Sequence, residues 1–136
     1  MTKLTEAVKN RSNDVGSVYE AQTKAFSSFE FKYLTDNLIE NNCKSILDIG
    51  TGEGNFINQL SYLIPETQID AIDADGILIS KAVANYKAPN IRFQNESFNL
   101  NFSADRNYDA ILARFSVEHM KDLDEFAQAS IQTLNN

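Results

Sequence analysis

The sequence predicts an α/β fold built on a doubly wound parallel sheet. Three observations lead there. Short apolar runs alternate with stretches of helical period, which requires crossover connections between parallel strands. A glycine-rich turn, "GTGEG", directly follows the first of those runs, "KSILDI". The polar residues of candidate chemistry fall just after the carboxyl ends of four strand-like segments, the rim where ligands bind in such sheets.

Residues 1–13 carry charges of both signs and no apolar period, so they read as a polar, flexible leader, and 14–136 as one domain. From Asp14 to Asn42 apolar residues, among them Val15, Tyr19, Phe26, Phe29, Tyr33, Leu38 and Ile39, recur at helical spacing, which fits two amphipathic helices. "KSILDIG" is a buried strand stopped by glycine. Phe56, Ile57, Leu60, Leu63 and Ile64 then form a helical stripe ended by Pro65. "TQIDAID" is the second strand, and "GILISKAVANY" a helix whose expected inward residues are Ile77, Leu78, Val83 and Tyr86. "NIRFQN" and "YDAILARF" follow as strands three and four. "DLDEFAQASIQTL" is a closing helix capped by Asp122 or Asp124.

Composition narrows the class. Hydrophobic residues at 43%, with nine Phe and five Tyr, suffice for a packed core, and 23% charged residues give a soluble exterior. The formal charge of -7 argues against phosphate-backbone binding, which needs clustered Lys and Arg, so nucleic acid is not the expected partner. One cysteine, Cys43, leaves no internal disulfide. With no signal-peptide core and no run near the ~18 apolar residues of a membrane span, the cytoplasm is the expected compartment.

Gly50, Gly52 and Gly54 permit positive φ and close approach of backbone to a ligand. A dinucleotide is one candidate, since Asp73 lies nineteen residues after Gly54, near the spacing of a ribose-binding acid. Charge separates the candidates. A pyrophosphate beside Asp48 and Glu53 in a pocket of reduced dielectric costs several kcal/mol at an effective ε of about 20. A cationic ligand reverses the sign. The spacing G-x-G-x-G also departs from the dinucleotide G-x-G-x-x-G.

Four segments in order, "LDIGTGEG", "IDAIDAD", "IRFQNESF" and "YDAILARFSVEHM", resemble the motifs of the class I, Rossmann-like, S-adenosylmethionine-dependent methyltransferases from about Tyr19 onward. The resemblance implies a strand order 3-2-1-4, S-adenosyl-L-methionine as cofactor, and a methyl transfer to a small-molecule acceptor. It also implies site roles. Asp48 resembles the acid that holds the glycine loop and the methionine ammonium, with Gly50, Thr51 and Gly52 lining the methionine portion. Asp73 resembles the acid that accepts both ribose hydroxyls, and Ala74 the residue on the adenine face. Glu96 stands where the family usually has Asp and would take the adenine amino group, with the Ser97 N–H at the ring edge. Ala113, Arg114 and Phe115 close the site. His119, the single histidine, resembles a residue of the loop after strand four that contacts substrate or removes a hydroxyl proton. No metal is expected.

Structural alternatives stand beside these roles: Asp48 as a loop anchor, Asp73 as a strand cap, His119 as a histidine without chemistry. Glu53 is read as an electrostatic partner of a helix N-terminus, Asp70 and Asp75 as solvated, Phe98 and Phe102 as core. Relatives continue past "TLNN" into further strands, so "YDAILARF" is expected as a long apolar edge. Either the chain is a fragment, the favoured reading, or a second copy or a partner chain covers that edge. The functional alternative is a catalytically inactive cofactor-binding or assembly subunit of the same fold.

Overall fold

A computed structural model describes residues 29–114 and 116–134. The polar leader, the helical period from Val15 to Phe26, and Phe115 lie outside the described residues. Two compact units divide the chain at Asn37/Leu38. In the first, residues 29–37 are helical, with the Phe29 and Tyr33 rings stacked at 6.4 Å.

The second unit opens on helical residues that end at Asn42, which takes φ 49°. Asn42 N–H donates to Ile39 O and Cys43 N–H to Leu38 O, both at 2.9 Å, the paired bonds that close a helix around a left-handed residue. Then come β1 (Ser45–Ile49), α1 (Asn55–Leu63), β2 (Gln68–Asp73), α2 (Gly76–Asn85), β3 (Ile91–Asn95), β4 (Ala110–Leu112), a short 3₁₀ turn (Val117–His119) and α3 (Leu123–Thr133). The strands form one parallel sheet in the order β3-β2-β1-β4, as the resemblance implied.

Because β1 and β2 are the inner strands, both of their faces are covered, which is why "SILDI" and "IDAI" read as nearly continuous apolar runs. Alternation puts Leu47, Ile49 and Ile72 on one face, packed with Tyr108, Phe98, Phe102 and Phe126 of α3. The opposite face receives α2, whose Ala82 lies against Gly54 and the Phe93 ring. Helices thus flank both sides. Among the described residues no helix is long and apolar enough to cross a membrane.

Several sequence expectations change. The inward face of α2 is Ile79 and Ala82; Ile77 and Val83 are 70% and 45% exposed. Asp75 sets that phase: its carboxylate caps Ile77 N–H and Leu78 N–H, fixing the first turn, and Asn95 packs against Gly76. Leu63 likewise points outward while Ile57, Leu60 and Ile64 are buried. The fourth strand has three residues rather than eight. Asp109 turns away at its start to accept from Lys44 N–H, Ser45 N–H and the Ser45 hydroxyl, and Tyr108 pairs instead with Leu134, its N–H bonding Thr133 O at 2.9 Å. The long apolar edge is therefore a short one. Of the two candidate caps of α3, Asp122 is the one used.

Asp70 is not solvated. It is 3% exposed and takes a two-pronged contact from Arg92, Nε at 2.8 Å and Nη2 at 3.0 Å, and the Tyr108 hydroxyl at 2.6 Å. Burial raises its pKa, but those hydrogen bonds, with the charges of Arg92 and Arg106, outweigh burial and hold the carboxyl below the usual range. The reason is topological: Asp70 pairs in register with Arg92 across β2 and β3, a pairing of distant residues that apolar alternation along one strand does not reveal.

Candidate functional site

The site begins where β1 ends. Gly50, Gly52 and Gly54 have φ of 72°, 60° and 82°, values that L side chains rarely adopt. A Cβ on Gly50 would come within 2.4 Å of the Ser116 Cβ, so the glycine lets the segment after β4 close against the end of β1. Ser116 fastens that closure, its hydroxyl donating to Ile49 O at 2.9 Å. Around Gly52 the space is open, so its glycine serves the backbone conformation alone.

Asp73 ends β2 beside this turn. Its Oδ2 accepts Gly52 N–H and its Oδ1 accepts Asp75 N–H, both at 2.9 Å. Each oxygen keeps acceptor capacity on its other side, so the carboxylate both holds the turn and stays able to receive two further donors.

Between the ends of β1, β2 and β3 lies a cleft of about 350 Å³. Six residues singled out from the sequence line it: Gly50, Asp73, Ala74, Glu96, Ser97 and His119. Ile72, Phe98 and Met120 supply apolar wall, and among the described lining residues there is no Lys or Arg. His119 is on the 3₁₀ turn after β4, strongly exposed, with Glu118 Oε1 3.5 Å from its Nε2.

Five other candidates are outside the lining, among them Ala113, which packs against the core. Asp48 is 4% exposed, on the face of β1 opposite Leu47. Burial pushes its pKa up to about 6; the Thr51 hydroxyl and the charge of Arg114 pull it down, and Asp73 pushes it further up. The Thr51 Oγ1 is itself buried and makes no hydrogen bond of normal geometry, so its help to Asp48 is weak. Gly52 acts through its N–H on Asp73. The Arg114 side chain stacks on the Phe56 ring, 3.7 Å from guanidinium carbon to ring centroid. Glu53 pairs with Lys81 at 2.7 Å instead of serving the start of α1, so its charge is compensated, and the carboxylates that line the cleft are Asp73 and Glu96. Phe98, read as core, is both core and cleft wall. Ser116 and Met120 went unread; the tight glycine at Gly50 was the one available sign that a small residue packs there.

A profile of the methyltransferase-domain family matches residues 46–136. A small RNA 2'-O-methyltransferase of Tetrahymena thermophila is 30% identical over 112 residues, covering 70% of this chain and 26% of that protein. A putative methyltransferase 235L of Invertebrate iridescent virus 6 is 29% identical over 112 residues, covering 79% of this chain and 40% of its own length. Among solved structures, the plantazolicin methyltransferase BpumL, in complex with a triazolic desmethylPZN analog and SAH, superposes with a TM-score of 0.74 at 25% identity, over 91% of this chain and 49% of that one. The chain spans half or less of the length of each of these relatives.

Proposed function

The chain belongs to the methyltransferase-domain family, and from that premise we propose that it binds S-adenosyl-L-methionine in the cleft beside the glycine turn and serves transfer of its methyl group to a small-molecule acceptor. One observation carries the reading. Asp73, held by the Gly52 N–H at 2.9 Å, presents a carboxylate to a cleft whose other charged wall residue is Glu96 and which has no described Lys or Arg. A ligand with net positive charge and vicinal hydroxyls suits that lining; a phosphorylated nucleotide is opposed by several kcal/mol at an effective ε of about 20.

The residues fit the cofactor on structural grounds. The buried Thr51 hydroxyl makes no hydrogen bond of normal geometry, the space around Gly52 is open, and Asp73 has acceptor capacity left on both oxygens. When bound, the cofactor supplies an activated methyl group on a sulfonium. Asp73 takes the ribose hydroxyls, Ala74 the adenine face, and Glu96 with the Ser97 N–H the adenine edge. Asp48, Gly50, Thr51 and Gly52 hold the methionine end. Arg114 and Ser116 keep the segment after β4 against it, which excludes water and fixes the geometry that an in-line displacement needs. His119 stands at the open side, where it accepts a proton from a hydroxyl acceptor.

The net charge of -7 and the acidic cleft support a small-molecule acceptor over an RNA strand. A second reading, cofactor binding without turnover, is favoured by the cleft's size: about 350 Å³ is room for a single drug-sized ligand. Calorimetry tests the shared part. S-Adenosylhomocysteine is expected to bind with a micromolar Kd, and Asp73→Ala to weaken it at least tenfold; a preference for NADH removes the reading. Transfer of labelled methyl to hydroxyl-bearing small molecules, absent in His119→Gln, separates turnover from binding alone.

A further inference from the structure

We propose that cofactor binding at this cleft is coupled to proton release from Asp48, so that the domain holds its ligand more tightly as pH rises. The proposal rests on the cofactor reading above and concerns how the same site is regulated. Asp48 stands two residues before the turn, only 4% exposed, and the one described hydroxyl that approaches its carboxylate, that of Thr51, is itself buried with no bond of normal geometry. A buried carboxylate in that condition lacks the donors that stabilise its ionised form.

The charges around Asp48 come from three elements. Asp73 at the end of β2 disfavours ionisation, Arg114 after β4 favours it, and the Thr51 hydroxyl of the turn favours it. Arg114 also stacks on the Phe56 ring and only partly compensates. Burial dominates and pushes the carboxyl up to about 6. A ligand bearing an ammonium and a sulfonium over the turn adds the missing positive charge. It favours the ionised form, and the proton passes to the buffer with no covalent change. Each pKa unit by which the ligand lowers Asp48 corresponds to a tenfold gain in affinity between the acid and the neutral limb. Glu96 and His119 line the same cleft, and histidines as a class change charge between pH 5 and 8, so His119 is the group to separate from Asp48.

The test is calorimetry of S-adenosyl-L-methionine binding to the full chain from pH 5 to 7.5, in two buffers of very different ionisation enthalpy. The expected result is at least a tenfold tightening across the range, with a heat near pH 6 that depends on the buffer in the sense of proton release. Asp48→Asn abolishes the buffer dependence, Arg114→Gln moves the tightening to higher pH, and His119→Gln keeps both features. Tight binding with a buffer-independent heat overturns the proposal alone. So does a linkage that disappears in His119→Gln. Absence of binding at every pH overturns the cofactor reading and the proposal with it.

Discussion

Asp48 and Asp70 sit on neighbouring strands of one sheet, 4% and 3% exposed, yet their carboxyls are driven in opposite directions. Leu47 pairs in register with Asp70, so Asp48 faces the other side of the sheet. Asp70 has Arg92, Tyr108 and Arg106 around it and is held below the usual carboxylate range; Asp48 has a weakly helpful hydroxyl and is pushed up to about 6. Burial is common to both. What differs is whether the fold supplies donors, and the difference separates a carboxylate that ties strands together from one buried with little help.

The largest expected effect is on the satisfied side. Asp70→Ala strands the Tyr108 hydroxyl, in a residue 2% exposed, and leaves Arg92 with Asp105 alone; the loss is about 3 kcal/mol in urea unfolding, the lower end for breaking a buried pair because the Arg92 side chain keeps 44% exposure. A loss under 1 kcal/mol would erase the contrast.

Asp48→Asn is expected to do the reverse, stabilising the ligand-free chain by about 2 kcal/mol at pH 7 while weakening the cofactor. The sign follows from the raised pKa. A folded carboxyl that keeps its proton to about 6 favours folding at acid pH, and that advantage is lost as pH climbs from the ordinary carboxylate value of 3.8 through 6. Asp70 runs the other way, its contribution present above the ordinary range and lost as pH falls through its lowered value. Unfolding curves at pH 4 and 7 check both: the gain from Asp48→Asn should be small at pH 4 and full at pH 7, while the loss from Asp70→Ala is greater at pH 7.

Gly52→Ala gives the smallest effect, about 1 kcal/mol, from φ alone, since a Cβ there meets nothing within 4 Å. A cost above 3 kcal/mol in the same unfolding assay would mean that the turn is packed rather than open.

Much of this was legible. Apolar runs broken by glycine marked β1 and β2, and Asp48, Asp73, Glu96 and His119 were readable as strand-end residues because ligand sites in parallel sheets gather there. The outward Ile77 and Leu63 were misread because periodicity gives a stripe and not its rotation, which Asp75 and the Asn95 contact set for α2. Asp109 shortened β4 through bonds to Lys44 and Ser45, partners 64 and 65 residues away that local propensity does not register.

The sequence by itself determined the alternation of strand and helix, the glycine turn and the acids at strand ends, because those follow from local period and backbone sterics. Only the tertiary structure decided which aspartate received donors and which was left with almost none, since register across strands sets the neighbours of a buried charge and those neighbours are distant in the chain.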